Sequence, residues 1–544
     1  VVRISRPGDP ARSAPVPWTA EYVEADAWGG YEVVSRPEWC SDKDLSGEGG
    51  SMAAEFTIPG QRQTVVSNSN NMLLTIATSI NSTSGYLPYN LANAMGAPGI
   101  ENTANCYIIN APGIYSLPLV YGNAVKNGEP NPSAYTSSAG GTNILSNFVN
   151  HLDAPITDPY IYNNADCSPF HAMLIWQDEK DLVTNVTLEY DRRSLTFEVP
   201  KASIRQGNAI VAVCDENYRI MWSWHIWVTD YVPGLEPTVT DSHDPDKTCR
   251  DKVVTDYQGV QHTFMGVNLG WCDPEAETYV ARSATVRFTQ SITGKVLIMK
   301  INQLPHVDMY RVTASGNNTY YQFGRKDPML AGVAADANKP CYFQNPAYQF
   351  DGSGEGAVTV GTSIQYPFVF YNAGGSSSLN WCSSSYHNLW NSDNAAATAN
   401  DDPVVKTIYD PSPVGYRLPA PNAFTGFTFN GEAVAGASYF GSRFNTPYAS
   451  ETDVSSNFGW EFYCNRMTGE SGYDTAGGTV FYPAAGCRSS STGRVSDYTL
   501  SGYYWSAGPY STGNGRGLNF NSASIDPLSN GGYAAAYAVR PVRE

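Results

Sequence analysis

The 544-residue chain is short of charge. Only 15% of its residues are Asp, Glu, Lys or Arg, against about a quarter in a typical globular protein. Ser, Thr, Asn and Tyr must supply the wetted surface instead, as they do in many surface-exposed β proteins. Basic residues are the scarcer sign, 33 against 51 acidic ones, and the net charge of −18 disfavours nucleic acid and anionic lipid as partners, because both reward a basic face. No apolar run approaches the roughly 20 residues needed to cross a bilayer. The nearest, Ile220 to Val232, carries His225 and Asp230 and reads as a buried strand, so no transmembrane segment is expected. No signal-peptide pattern begins at Val1, and the chain is expected to start inside a mature or trimmed protein.

Catalytic and metal motifs are missing too. The ten cysteines, Cys40, Cys106, Cys167, Cys214, Cys249, Cys272, Cys341, Cys382, Cys464 and Cys487, stand singly. Without a CxxC pair there is no zinc ribbon and no thioredoxin-like site. An even count suits an oxidising compartment, but the pairing is not written in the spacing. Cys106 and Cys214, set in strand-like runs, read as buried free thiols. The histidines (His151, His171, His225, His243, His262, His306 and His387) are scattered, with no HExxH among them. GxSxG elbows, Walker loops and dinucleotide-binding glycine fingerprints are also absent. Nothing singles out a carboxylate pair. The chain is therefore expected not to be an enzyme, with no catalytic residue, no cofactor and no metal ligand. His387 reads as a structural, hydrogen-bonding histidine. The acidic stretch Glu236 to Asp251, with Asp241, Asp244 and Asp246, lacks the glycine and terminal glutamate of an EF-hand and reads as a solvated linker.

What is abundant is turn and strand chemistry: 49 Gly, 35 Pro and 36 Tyr point to many short strands joined by tight turns. Val1 to Trp18, with four prolines and Arg3, Arg6 and Arg12, reads as an extended arm. Strand-like runs follow at Ala53 to Ile58 and Met72 to Ile80. From Asn105 the pattern becomes regular, with strands expected at Cys106 to Asn110, Ile114 to Val120, Ala172 to Trp176, Val183 to Tyr190, Ser194 to Val199, Ala209 to Cys214 and Arg219 to Thr229. That succession is the pattern of a β-sandwich. Along Met221 to Val228 one parity is apolar and the other mixed, as for a strand at the edge of a core. Beyond Val253 the composition turns to Gly, Ser, Asn and Tyr. Trp381, Trp390, Phe424, Phe427, Trp460, Trp505 and Phe520 still argue for a packed domain with long loops rather than for disorder. The expected division is an N-terminal arm and β region over 1–104, a β-sandwich over 105–235, a linker over 236–252 and a ligand-binding domain over 253–544.

Several strings resemble one family. Gly207 to Val213, followed by Trp222-Ser223-Trp224-His225-Ile226-Trp227-Val228, is similar to the sandwich region of Bacteroidales fimbrillin-like surface proteins, and Asn105 to Gly113 with Tyr115 is similar to its opening. Tyr320-Tyr321-Gln322-Phe323-Gly324-Arg325-Lys326-Asp327-Pro328, Asp410 to Pro419, Gly502-Tyr503-Tyr504-Trp505-Ser506 and Val539-Arg540-Pro541-Val542 resemble signatures of the major paralogous domain of these proteins, which is C-type-lectin-like. The resemblance implies a mainly β chain, with pilin-like β-sandwich regions followed by an α+β C-type-lectin-like domain. It implies a cell-surface tip adhesin of a type V pilus, bound to a fimbrial subunit by a donor strand and to a protein or glycan ligand through its C-terminal domain. Two departures stand out: Ser412 occupies a position where the family often has Cys, and Ala284 to Leu304 is an extra strand-rich stretch. Alternatives are a secreted or lipid-anchored carbohydrate-binding protein without a pilus and an extracellular glycan-active enzyme. Calcium-dependent sugar binding is not expected, because Glu129-Pro130-Asn131 lies in the upstream region and Ser392 interrupts Trp390-Asn391 before Asp393.

The stretch Ser506 to Tyr537 is built almost wholly of Gly, Ser, Ala, Asn, Tyr and Thr, the palette of adaptable binding surfaces. Alternation puts Leu518 and Phe520 inward and Asn519 and Asn521 outward. This end also resembles the variable region of lectin-fold proteins diversified by retroelements. The outward ligand-binding candidates are Tyr503, Ser506, Tyr510, Ser511, Asn514, Asn519, Asn521, Ser524, Asp526, Asn530 and Tyr533.

Overall fold

Short strands and tight turns dominate the described residues, with 37% of them in strands, arranged as several sheets, and 8% in helices. The computed structural model describes all residues except 1–2, 7–8, 41–44, 50–63, 68, 235–250, 275, 280–281, 304–305, 312–315, 344–355 and 374–378. Ala53 to Ile58 and the linker through residue 250 therefore lie outside the described residues. No described helix is long and apolar enough to cross a membrane.

Two compact units form. The first joins residues 1–67 to 275–312. Its larger sheet runs in the order Val296–Gln303, Arg282–Gln290, Trp18–Ala25, Tyr31–Val33. Of the strand-rich stretch that begins near Ala284, Arg282–Gln290 is thus the antiparallel partner of the N-terminal strand Trp18–Ala25, with Val286 opposite Tyr22 and Phe288 opposite Ala20. The alternation Ala284, Val286, Phe288 explains why: these residues bury against Ala20, Tyr22 and Cys40. Arg287, of the other parity, reaches the Glu21 carboxylate. The arm is extended as expected, and it is also paired, Arg3–Arg6 lying against Asp9–Pro15.

The second unit joins residues 68–274 to 313–544. A five-stranded sheet has the order Tyr342–Phe343, His171–Gln177, Gly207–Cys214, Ile220–Val228, Cys106–Ile109. A four-stranded sheet has the order Thr184–Leu188, Ser194–Val199, Gly113–Pro118, Tyr89–Asn90. Leu117, Leu195 and Phe197 of the second sheet share a core with Val211, Val213, Trp224 and Ile226 of the first. That is a sandwich interior.

Ile220–Val228 is not the edge-of-core strand its parity suggests. All nine residues are buried, because the mixed face is covered by the Tyr320–Pro328 string. Ser223 donates to Asp327 at 2.7 Å and takes a 2.6 Å bond from Lys326. His225 bridges Asn208 and Tyr321 at 2.9 and 3.1 Å. Residues from 105–235 and from 253–544 therefore contribute to one core, which also contains Tyr321, Trp390, Tyr409 and Trp505. The seven regularly placed Trp and Phe side chains of the C-terminal part are all buried.

Met72 to Ile80, expected as a strand, is helical, with helices at Ser69–Ile76 and Ile80–Ser84. A strand would place Met72, Leu74 and Ile76 on one face. The helix sends only Leu74 into the core and leaves Met72 and Ile76 exposed. Cys106 and Cys214 are buried free thiols, and the other described cysteines are free as well. Asp251, read as the end of a solvated linker, is anchored: the Tyr231 and Tyr416 hydroxyls donate to it at 2.5 Å and Arg543 at 2.8 Å. The ends of the C-terminal part meet in one sheet, since Phe264 pairs with Val542 and Arg417 with Val542 on its other side. Arg540 fixes that closure by donating to Asn268, Met265, Gly266 and Phe481.

Candidate binding surfaces

The C-terminal candidates sit on three consecutive antiparallel strands, Gly502–Ser511, Asn514–Asn521 and Ser524–Gly532. Leu518, Phe520 and Ile525 pack with Phe462, Tyr482 and Tyr504 in a second core. Asn519 is half-buried and Asn521 exposed, as the alternation requires. Bulges interrupt the ladder between Trp505 and Pro509 and between Gly517 and Asn519, so the candidates do not share one face.

Tyr503, Asn519 and Asp526 are register partners and form one row. Tyr503 donates to Asp497 at 3.1 Å, Asn519 donates to the Gly502 carbonyl at 3.3 Å, and burial raises the Asp526 carboxyl above its ordinary range. This row is largely committed to local bonds. Asn521 and Ser524 flank one turn, where Asn521 accepts from the Ala523 N–H at 2.9 Å. Ser511 and Asn514 flank the other, at 3.1 Å, with Gly513 supplying the positive φ of +79°.

Two candidates are not surface residues. Ser506 is fully buried and donates to the Arg516 carbonyl, because the bulge turns it inward. Tyr533 is 2% exposed and stacks on Phe323.

The residue that the sequence reading missed is Arg516, the one basic side chain between Ser506 and Tyr537. Its guanidinium lies 4.6 Å over the Tyr510 ring, which is 41% exposed. Arg516 is the cross-strand partner of the exposed Asn530. It also donates to the Ala397 carbonyl at 3.3 Å, and Asn394 donates to Ala507 at 3.4 Å, so the segment 394–397 borders this edge. An arginine laid on an exposed tyrosine beside the exposed Asn530 amide offers stacking area, a donor fork and adaptable hydrogen bonding together. A lone Arg in a Gly, Ser and Asn stretch was the available signal.

A second surface lies elsewhere in the same unit. An open cleft of about 740 Å³ is lined by Tyr86, Tyr160, Tyr162, Glu189, Asp191 and Arg193 among others. The Tyr160 and Tyr162 rings stand 5.6 Å apart and Arg193 lies 5.6 Å over Tyr162. Aromatic faces beside carboxylates suit a polyhydroxylated ligand, since the rings cover its C–H faces and the carboxylates accept from its hydroxyls.

His387 is 7% exposed, but neither ring nitrogen has a hydrogen-bond partner among the described residues. Burial lowers its pKa. No family model, no curated protein and no solved structure matches the chain.

Proposed function

We propose that this chain is a non-enzymatic cell-surface binding protein, similar to the tip adhesins of Bacteroidales type V pili, with pilin-like β regions and a C-terminal C-type-lectin-like part that engages a protein or glycan ligand. The observation that carries the reading is the Tyr510–Arg516 pair on an exposed edge with Asn530 beside it. Aromatic and Arg side chains are the ones that dominate binding energy at interfaces. Closure of the C-terminal part through the Phe264–Val542 pairing supports it further, because a closed frame holds the candidate strands in place. For assembly, the support is the strand Val296–Gln303. It has one neighbour among the described residues and exposes Val296, Leu297 and Met299. An unpaired edge of that kind accepts an added strand through main-chain hydrogen bonds.

The test is a screen of the full chain on glycan and host-protein arrays, with a Tyr510→Ala/Arg516→Ala variant in parallel and sugar release monitored. Binding that disappears in the folded variant, without turnover, supports the reading. Turnover abolished by changing one carboxylate overturns it. A second reading, a secreted or lipid-anchored carbohydrate-binding protein without a pilus, draws on the Tyr160–Tyr162 cleft.

A further inference from the structure

Two side chains of one hairpin and a third from a distant stretch of the second unit converge at one point. Lys252–Thr255 and Gln261–Phe264 form a hairpin, closed where the Asp256 N–H donates to the Val260 carbonyl at 2.9 Å. Asp256 sits at the start of the turn, and His262 on the returning strand. Asp401 comes from the irregular segment before Val404.

Each carboxylate has one oxygen held by a protein donor and one turned inward. Asp256 Oδ1 accepts from the Val260 N–H at 2.8 Å, and its Oδ2 faces His262 Nε2 at 3.0 Å. Asp401 Oδ2 accepts from Asn422 Nδ2 at 2.9 Å, and its Oδ1 faces the same His262 nitrogen at 3.8 Å. That Oδ1 is buried and has no donor within hydrogen-bond reach among the described residues. One ligand atom from each of the three residues lies within 4.8 Å of the others.

Two carboxylate oxygens and an imidazole nitrogen thus surround one point. We propose that Asp256, His262 and Asp401 form a binding site for a divalent transition-metal cation of the zinc type. Zinc lies about 2.0–2.2 Å from nitrogen and oxygen ligands and takes four of them in a tetrahedron. Tetrahedral neighbours then stand about 3.3 Å apart, and the observed 3.0 and 3.8 Å bracket that spacing. The Val260 N–H and the Asn422 amide are the outer bonds that aim ligands inward. Calcium fits poorly, because it asks for six to eight oxygens and little nitrogen. The side chains of His262 and Asp401 are 10% and 18% exposed, which leaves an entry path and room for a water as fourth ligand. The cation would tie the hairpin to the segment that borders Arg516, but the site stands whether or not that edge binds a ligand.

The experiment uses the full chain stripped with chelator. Zinc chloride is titrated calorimetrically, cobalt(II) spectra are recorded, and wild type is compared with His262→Gln and Asp401→Asn. The expected result is one cation per chain at this site, a higher unfolding temperature with zinc, and affinity reduced about 100-fold or more in each variant, with calcium far weaker. Wild type that binds neither zinc nor cobalt would mean that the carboxylates share a proton instead, and would overturn the site. Uptake unchanged in both variants would place the metal elsewhere and overturn it equally. Should a variant fail to fold, the wild-type cobalt spectrum decides: bands of a low-coordinate nitrogen and oxygen site support the proposal, and an aqueous octahedral spectrum refutes it.

Discussion

The ring of Tyr533 lies flat on that of Phe323, with centroids 4.2 Å apart and planes within 4°. Trp390 and Trp505 close around the same Phe323 at 4.7 and 5.5 Å. A tyrosine in the Gly-rich C-terminal stretch is therefore a core residue, and its hydroxyl is buried without a partner among the described residues. Tyr533→Ala should destabilise the fold by about 3 kcal/mol, the cost of emptying an aromatic site. Tyr533→Phe should be neutral or slightly stabilising, because it removes an unsatisfied buried hydroxyl. Urea unfolding of the two variants measures both. A strong loss of stability in Tyr533→Phe would show that the hydroxyl is bonded after all.

His225 gives the fold a dependence on pH. Burial lowers its pKa to about 3, against 6.5 in the unfolded chain. The imidazole stays neutral in the fold, so its contribution is complete above pH 6.5 and is lost as the pH falls from 6.5 towards 3. At pH 5 the unfolded state gains about 2 kcal/mol from protonation that the fold cannot match. His225→Gln loses the bond to Tyr321 or to Asn208 at every pH but lacks this slope. Its stability deficit relative to wild type should narrow by about 2 kcal/mol between pH 7 and pH 5. Parallel pH profiles would place the acid sensitivity in other groups.

The mixed face of Ile220–Val228 and the short strand Tyr342–Phe343 make the two halves of the second unit depend on one another. Trp176 pairs with Phe343, and the Asn105 amide donates to the Ile408 and Asp410 carbonyls at 2.5 and 2.8 Å. A fragment spanning 253–544 would lose all of these and uncover Trp390, Tyr409 and Tyr321, which share their core with Trp222 and Trp224. Expressed alone, it should be insoluble or bind hydrophobic dyes. A soluble fragment with sharp thermal unfolding would show that the C-terminal part folds by itself.

Strands in the upstream region were legible because turn residues bracket alternating runs there. Ser194–Val199 is found as expected, and Gly207–Cys214 and Ile220–Val228 differ only at their ends. Pairing between distant strands was not legible. Nothing near Ala284 marks Tyr22 as the neighbour of its strand, since that contact is set by what each face must bury. On the C-terminal strands, parity gave Leu518 and Phe520 correctly, but the bulges that turn Ser506 inward leave no local mark. Asp256 and His262 stand close in sequence, whereas Asp401 reaches them only through the fold. Composition drew attention to Tyr and Asn in the C-terminal stretch, and so passed over the one Arg there, which lies over Tyr510.

The most direct measurement compares ligand binding by the full chain carrying Tyr510→Ala/Arg516→Ala with that of a Tyr160→Ala/Tyr162→Ala variant, both checked for folding. If the C-terminal edge is the ligand site, the first should lose two interface anchors and weaken binding by about 2 kcal/mol or more, roughly 30-fold, while the second binds as wild type does. Full affinity in the first and loss in the second would contradict the account and move recognition to the cleft.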